Sequence, residues 1–193
     1  MKRICVFCGS NPGNEPVFLE TAEKLGEFLA KNDIELVYGG GRVGLMGKIA
    51  DTVLANGGRA IGIIPESLAQ KEVAHLGLTE LHVVESMHTR KALMAELSDG
   101  FIAMPGGFGT FEEICEIITW SQLGFHAKPC ALLNVSGFYD DLIALFDHSA
   151  AKGFIRPVHR RLVISGSDIE AIIRTMEDFK PAAVEKWIEK ESI

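Results

Sequence analysis

Seven short runs of continuously apolar residues alternate with longer segments of helical periodicity, and this alternation limits what the chain can fold into. The runs are Arg3–Cys8, Ile34–Tyr38, Arg59–Ile64, Leu81–Val84, Gly100–Met104, Pro129–Asn134 and Leu162–Ile164. Strands that are apolar at every position, and not only at alternate ones, are typical of parallel sheets covered on both faces. The intervening periodicity predicts helices over Val17–Lys31, Leu45–Ala55, Met87–Leu97, Phe111–Leu123, Phe138–Ala151 and Asp168–Phe179.

This order of elements predicts an α/β fold. Repeated strand–helix–strand units with right-handed crossovers build a three-layer, doubly wound, mostly parallel sheet of the Rossmann-like kind. The length of 193 residues fits a single domain over 1–193, with a C-terminal tail at 181–193. The segment Glu66–Thr79 has no clear apolar period and is the longest irregular connection, so we expect it to be a functional loop.

The composition argues against several classes of protein. The chain carries 19 Lys and Arg against 26 Asp and Glu, a net charge of −7, with no basic cluster. Nucleic-acid binders normally present a basic face, so nucleic acid is not an expected partner. The longest apolar runs fall far short of the ~20 residues that span a bilayer, so no membrane contact is expected. The apolar start of the chain is interrupted at once by Gly9 and lacks a signal-peptide cleavage site, which predicts a cytoplasmic protein.

The cysteines and histidines do not predict a metal site. Cys5 and Cys8 stand three residues apart on the first predicted strand, so their side chains should face opposite sides of the sheet. Cys115 and Cys130 lie in other apolar segments, and we expect all four thiols to be reduced core residues. The six histidines show no ligand spacing, so neither a metal nor another cofactor is expected.

A first glycine stretch, residues 38–47 (YGGGRVGLMG), follows a predicted strand and opens a predicted helix. Glycine lets backbone amides approach a ligand closely, and a helix N-terminus attracts an anion. Gly39, Gly40, Gly41 and Gly44 are therefore candidates for a phosphate loop. Three of them also match the spacing of a dinucleotide fingerprint, but Arg59 stands where its acidic residue is expected. A structural turn, a dinucleotide site and a simpler phosphate or sugar contact all remain open.

A second glycine stretch, residues 104–113 (MPGGFGTFEE), lies at another junction between a predicted strand and a predicted helix. Three glycines before a threonine at a helix start form a nest of backbone amides with an added hydroxyl group. That arrangement suits a phosphate monoester. The same residues allow a structural interpretation, because Thr110 and Glu113 have the spacing of a capping box in which Glu113 bonds back to the Thr110 amide.

An arginine interrupts an apolar helical stripe. The predicted helix Met87–Leu97 has an apolar face formed by Met87, Leu93, Met94 and Leu97, and Arg90 falls within that face. An arginine directed towards a core is costly unless it meets an anion. Arg90 is therefore either half of a buried ion pair with a glutamate or a cleft residue that meets substrate or a catalytic carboxylate. Lys91 lies at the edge of the stripe. Its ammonium group either steers a phosphate or is simply solvated, and the sequence favours neither role.

These motifs together resemble the LOG (Lonely Guy) phosphoribohydrolases. Pro105–Glu113 is similar to the family's PGGxGTxxE signature, and the similarity continues over most of the chain at Val6–Ser10, Val37–Gly47, Met87–Lys91 and Phe125–Pro129. The resemblance implies hydrolysis of the N-glycosidic bond of an adenosine 5′-monophosphate, with or without an N6 substituent, to a free base and ribose 5-phosphate. In cytokinin-activating members the base carries an N6-isoprenoid group. Members have also carried a lysine decarboxylase label, but no lysine here stands in a recognisable pyridoxal-phosphate setting.

The resemblance also assigns residues. It implies a catalytic pair of Arg90 and Glu113, a homodimer with its site near the subunit interface, and no cofactor. The nucleotide contacts that it implies are Glu72, Arg90, Lys91, Gly107, Phe108, Gly109, Thr110, Phe111, Glu112, Glu113 and Thr119. Residues 10–13 match the family pattern only loosely, so Ser10 receives no role.

Two other classes of function stay open beside the hydrolase. One is a nucleotide- or cofactor-binding carrier on the same fold, which would bind a phosphate and turn nothing over. The other is a dinucleotide-dependent oxidoreductase, which the missing acidic residue after Gly44 disfavours. For the hydrolase, Glu113 would stabilise an oxocarbenium-like ribose or deprotonate water, Arg90 would position Glu113, and the glycines with Thr110 would hold the phosphate.

Overall fold

A computed structural model of the chain describes residues 1–69 and 74–180. These residues form one seven-stranded sheet in which every pairing is parallel. Its strands are β1 (Arg3–Phe7), β2 (Glu35–Tyr38), β3 (Ala60–Pro65), β4 (Glu80–Val84), β5 (Gly100–Ala103), β6 (Cys130–Leu133) and β7 (Val163–Gly166). The spatial order β4-β3-β2-β1-β5-β6-β7 confirms the predicted doubly wound α/β fold.

Helices connect these strands and cover both faces of the sheet. They are α1 (Pro16–Lys31), α2 (Gly44–Ala55), α3 (Glu66–Ala69), α4 (Met87–Leu97), α5 (Phe108–Gln122), α6 (Asp140–Ala151), α7 (Pro157–Arg160) and α8 (Ile169–Glu177), with a 3₁₀ turn at Val135–Gly137. Side chains cap two of the starts, because Ser86 accepts a hydrogen bond from the amide of Thr89 and Asp168 from that of Ala171. No helix in the described ranges is long and apolar enough to cross a membrane.

The core is divided between the two faces of the sheet. Buried residues of α1, α2 and α8 pack on one face, and those of α4 and α5 pack on the other, with α6 against the same second face. Cys8 lies in the first cluster and Cys5 in the second, which confirms that the two thiols face opposite sides. All four cysteines are free, and Cys115 is only partly buried.

The crevice expected in such a fold opens where the order of the strands reverses. β1 and β5 are neighbours in the sheet, yet α1 after β1 and α5 after β5 cover opposite faces. The two connecting loops therefore diverge at the carboxyl edge of the sheet, and ligands of open α/β sheets bind at this position. The loops touch at one point, where the amide of Gly9 donates a hydrogen bond to the carbonyl of Pro105 over 3.0 Å.

One predicted boundary differs in a way that bears on the site. Helix α5 begins at Phe108, three residues before the predicted start, with Gly107 as its N-cap residue and no capping side chain. Thr110 therefore lies inside the first turn, and the capping-box interpretation of Thr110 and Glu113 is wrong. Glycine carries a low helix propensity but adopts helical dihedral angles freely, so Gly109 does not prevent the earlier start.

In the predicted functional loop after β3, Ala74 and His75 contact the first glycine stretch. Glu66–Ala69 forms α3, and Ala74 makes an isolated antiparallel bridge to Gly41. The imidazole of His75 contacts Asp51 of α2 at 2.9 Å, and its amide donates to the carbonyl of Gly40. Whether this loop is functional stays a prediction.

Candidate active site

The start of α5 leaves open space beside two of its glycines. A Cβ added at Gly107 or Gly109 would meet nothing within 4 Å, so the first turn is accessible to a ligand on that side. Gly106 differs, because a Cβ there would overlap the side chain of Thr110 and lie 2.9 Å from the amide nitrogen of Gly9. In the second stretch, Gly106 thus allows the loop after β5 to approach the loop after β1, whereas Gly107 and Gly109 leave one side of the first turn of α5 open. The unsatisfied amides and the positive end of the helix dipole favour an anion there.

Arg90 reaches this crevice from α4. Its side chain is almost fully buried, and its Nε–H donates to the carbonyl oxygen of Ile63 over 3.1 Å. Its Nη1 lies 3.3 Å from Oε1 of Glu113, which projects from the second turn of α5. The two sequence interpretations of Arg90 therefore describe one arrangement: the arginine forms a buried ion pair, and that pair borders a cleft.

Glu113 has an altered acidity in this position. Burial raises the pKa of its carboxyl group to about 7, and the charge of Arg90 opposes that shift without cancelling it. The nearby carboxylates of Glu112 and Glu116 add to the rise, while Lys91 reduces it. A carboxyl group that titrates near neutrality can both hold and release a proton under physiological conditions, which is the property that general acid–base catalysis needs.

Arg90 and Glu113 line a cleft of about 230 Å³ at the carboxyl edge of the sheet, where the order of the strands reverses. The lining residues are Cys8, Gly9, Ser10, Met46, Arg90, Gly107, Phe108, Gly109, Thr110 and Glu113. A second cleft of about 210 Å³, with Phe18 and Phe138 in its wall, shares Gly9, Ser10 and Gly107 with the first. Each cleft alone is smaller than the roughly 300–1,000 Å³ of typical ligand pockets, whereas the two together fall within that range.

Lys91 does not project into the cleft. Its ammonium group pairs with the carboxylates of Glu112 and Glu116 on α5, and only about a tenth of its side chain is exposed. Burial lowers the pKa of Lys91, but the two carboxylates outweigh burial and leave it raised. The ammonium group is therefore held as a cation between α4 and α5, and the structure favours neither of its two predicted roles.

The predicted contacts divide into those that the structure brings together and those that it keeps apart. Arg90, Gly107, Phe108, Gly109, Thr110 and Glu113 line the cleft. Glu112 faces Lys91, Phe111 stacks on Phe138 at 6.2 Å between ring centroids, and the hydroxyl of Thr119 donates to the carbonyl of Cys115. Glu72 lies outside the described residues.

The phosphate-loop candidates of the first glycine stretch are absent from the lining of this cleft, as far as the described residues define it. Gly39, Gly40, Gly41 and Gly44 follow β2 and instead contact the protein's own side chains and backbone. The stretch contributes Met46, from the first turn of α2, to the cleft wall.

Sequence reasoning missed four of the lining residues, which are Cys8, Gly9, Ser10 and Met46. Cys8 directly follows β1, and the carboxyl end of a strand beside the reversal of strand order is a signal that could have identified it. Met46 carries no such signal, because it is one more apolar residue in the amphipathic pattern of α2. Burial raises the pKa of Cys8 well above its usual range, so its thiol is not a nucleophile in this environment.

Comparisons with known proteins show which family the chain belongs to. The family model described as "Possible lysine decarboxylase" matches residues 46–176. The chain is 54% identical over 177 residues to a probable cytokinin riboside 5′-monophosphate phosphoribohydrolase of Oryza sativa subsp. japonica, across 92% of this chain and 79% of that protein. It is 53% identical over 173 residues to the cytokinin riboside 5′-monophosphate phosphoribohydrolase of Rhodococcoides fascians, across 89% and 87% of the two chains.

Solved structures share the fold at lower identity. The structural-genomics protein TM1055 superposes with a TM-score of 0.70 at 24% identity, across 93% of this chain and all of the other. The molybdenum cofactor carrier protein of Chlamydomonas reinhardtii gives a TM-score of 0.68 at 20% identity, across 92% and 96% of the two chains. At these identities the likeness establishes the fold alone and does not select the carrier function.

Proposed function

The chain belongs to the LOG family of phosphoribohydrolases, and we propose that it hydrolyses the N-glycosidic bond of cytokinin riboside 5′-monophosphates, with adenosine 5′-monophosphate as the related simpler substrate. The products are the free base and ribose 5-phosphate. About half of the residues are identical to those of enzymes with this named activity over most of the chain.

One observation carries the assignment of the site. Arg90 and Glu113 are 23 residues apart in sequence and lie on different helices, yet their charged atoms approach to 3.3 Å in a cleft beside the open amides of α5. A phosphate at the start of α5 and a sugar beside Glu113 can be bound at the same time in such a cleft. Binding energy from the phosphate would then help to position the reacting end of the substrate.

The reaction breaks the bond between C1′ of the ribose and the nitrogen of the base. The base leaves with the bonding electrons and takes up a proton, and the oxygen of a water molecule forms the new bond to C1′. Positive charge develops on the sugar in between, as in glycoside hydrolysis. The carboxylate form of Glu113 stabilises that charge or accepts the proton of the attacking water. Arg90 keeps Glu113 in place and contacts the nucleotide, and Thr110 with the amides of α5 binds the phosphate.

The proposal includes a homodimer. A groove of about 460 Å³ lies between α4 and α5 and has Trp120, Phe125 and Ala92 in its wall. Phe108, at the start of α5, is 93% exposed. We propose that a second subunit covers this groove. A monomeric mass in light scattering at micromolar concentration would contradict this part of the proposal.

The proposed location is the cytoplasm. Cys5, Cys8 and Cys130 are buried thiols without a disulfide partner, and the fourth cysteine is also free. Free thiols are usual in a reducing compartment.

The test is release of base, measured by chromatography, from N6-isopentenyladenosine monophosphate and from adenosine monophosphate. Adenosine serves as the control substrate, because it lacks the phosphate. We expect release from the monophosphates only, and Glu113→Gln should reduce kcat by about 10²–10⁴-fold because it removes the carboxylate. The same substitution at the exposed Glu20 of α1 is the matched control and should leave kcat unchanged.

The carrier alternative predicts a different result in the same assay. Tight binding of the monophosphates without any release of base would reject the hydrolase and support a carrier. An equally active Glu113→Gln variant would keep the hydrolase but reject Glu113 as its catalytic carboxylate.

A further inference from the structure

We propose that Gly39 is a positioning residue for Arg90. In this assignment the first glycine stretch forms a socket for the guanidinium group of the catalytic arginine and does not bind a phosphate. The role in catalysis rests on the proposed function, whereas the socket itself is a property of the fold.

The contact between Gly39 and Arg90 leaves no room for a side chain. A Cβ built on Gly39 would overlap Nη2 of Arg90 and lie 3.2 Å from its Cζ. Gly39 does not have a positive φ, so its backbone conformation does not itself demand glycine. The close approach of the guanidinium group is therefore the constraint that selects glycine at this position.

Local geometry also explains the other glycines of the first stretch. Gly40 and Gly44 have φ values of +73° and +62°, a region that residues with side chains rarely adopt. A Cβ at Gly41 would lie 2.9 Å from the end of the Met46 side chain, and one at Gly47 would overlap the carbonyl of Arg42. Each glycine is thus explained by local geometry, and none requires a bound phosphate.

Backbone groups near this stretch are engaged by the protein as well. The amide of Leu45, in the first turn of α2, donates to the carbonyl of Gly9 over 3.1 Å. The carbonyl of Gly40 accepts from the amide of His75 over 3.0 Å. A phosphate at the start of α2 would compete with these hydrogen bonds, whereas the start of α5 presents an open face.

Three contacts together fix the position of the guanidinium group. The carbonyl of Ile63 holds Nε, the carboxylate of Glu113 lies beside Nη1, and the bare backbone of Gly39 lies against Nη2. β2 and β3 are adjacent strands in which Tyr38 pairs with Gly62, so Ile63 lies beside Gly39 at the carboxyl end of β2. A methyl group at residue 39 would push Arg90 towards the cleft and change its distance from Glu113.

The experiment is a double-mutant cycle of Gly39→Ala and Arg90→Ala with two readouts, thermal unfolding and steady-state kinetics. We expect Gly39→Ala to lower the unfolding temperature when Arg90 is present and to leave it unchanged or higher in the Arg90→Ala background. In the single variant kcat should fall about 100-fold, because a displacement of about 1 Å has an effect of this size. Its affinity for ribose 5-phosphate, measured by calorimetry, should change less than threefold, in keeping with a phosphate site at α5.

Gly41→Ala is the matched control in the same stretch. Its added methyl group would meet Met46 and not Arg90, so its effect on the unfolding temperature should be the same in both backgrounds. Equal losses of unfolding temperature for Gly39→Ala in the two backgrounds would overturn the socket. A loss of ribose 5-phosphate affinity of tenfold or more in Gly39→Ala would overturn it in favour of a phosphate loop.

Two further outcomes remain decisive. If Gly39→Ala does not fold, a folded Gly39→Ala, Arg90→Ala double variant supports the socket, and an unfolded double variant overturns it. If the wild-type protein releases no base, the proposed function fails, yet the coupling of unfolding temperatures still tests the contact between Gly39 and Arg90.

Discussion

The buried carboxyl group of Glu113 should make the stability of the protein depend on pH in an unusual direction. Most carboxylates in ion pairs have a lowered pKa and stabilise the fold as the pH rises. Glu113 has a raised pKa, because the cost of burying its charge exceeds the attraction of Arg90. A folded-state pKa above the unfolded one contributes stability that is fully present below the unfolded pKa and is lost as the pH rises through the folded pKa.

The size of the effect follows from the two pKa values. The pKa of Glu113 rises from 4.5 in the unfolded chain to about 7 in the fold. One pKa unit corresponds to about 1.4 kcal/mol, and integrating between pH 5 and pH 8 gives a loss of roughly 2–3 kcal/mol from this group alone. Glu113→Gln cannot ionise and should not show that loss. It should carry a constant cost because Arg90 remains buried without its carboxylate.

The assay is urea unfolding of the wild type and Glu113→Gln at several pH values and one protein concentration. We expect the free energy of unfolding of the variant, relative to the wild type, to rise by roughly 2–3 kcal/mol from pH 5 to pH 8. Glu20→Gln, at an exposed position of α1, is the control for a general effect of removing a carboxylate and should show a flat difference. A flat difference for Glu113→Gln as well would mean that Arg90 keeps Glu113 ionised throughout this range, and the reasoning from burial would be refuted.

Two other predictions concern the surroundings of the pair. Lys91→Met should move the rising limb of the pH profile of kcat/KM to higher pH, because it removes a cation that lowers the pKa of Glu113 and leaves Glu112 and Glu116 unpaired. The same change at the exposed Lys24 is the control, and a limb that does not move in Lys91→Met would contradict the prediction. In the native protein, Ellman's reagent should label no cysteine other than Cys115 within minutes, because the other three thiols are buried and their pKa values are raised. After unfolding it should label all four cysteines. Rapid labelling of Cys8 in the native protein would disprove this prediction.

The strands could be predicted to within two residues because a parallel sheet covered on both faces leaves a continuous apolar signal. The run Gly100–Met104, for example, corresponds to β5 at Gly100–Ala103. Helix starts were harder to predict where glycine is involved. The periodicity predicted the start of α5 at Phe111, after the glycines of the second stretch, but the helix already begins at Phe108. Sequence spacing alone does not distinguish a capping threonine from one in the first turn.

The candidate site was predictable in part for a physical reason. An arginine on an apolar stripe must meet an anion, so the stripe indicated that Arg90 has a partner, and only the resemblance to the LOG family identified that partner as Glu113. The proximity of Glu113 arises from packing of α4 and α5 across the second face of the sheet, which local spacing does not encode. Glycine-rich stretches are ambiguous for the same reason, since ligand approach and side-chain approach both select glycine.

The acidity of Glu113 and the position of Arg90 depend on each other. A fully formed pair of a guanidinium and a carboxylate has charge-assisted hydrogen bonds of about 2.7–2.9 Å, and such contact would lower the pKa of the acid. The observed separation is 3.3 Å, and part of the arginine's donor capacity is directed to the carbonyl of Ile63. The backbone of Gly39 lies against Nη2 on another side of the guanidinium group. The socket therefore holds Arg90 beside Glu113, while burial leaves the pKa of Glu113 at about 7, the range in which a catalytic carboxylate exchanges protons most effectively.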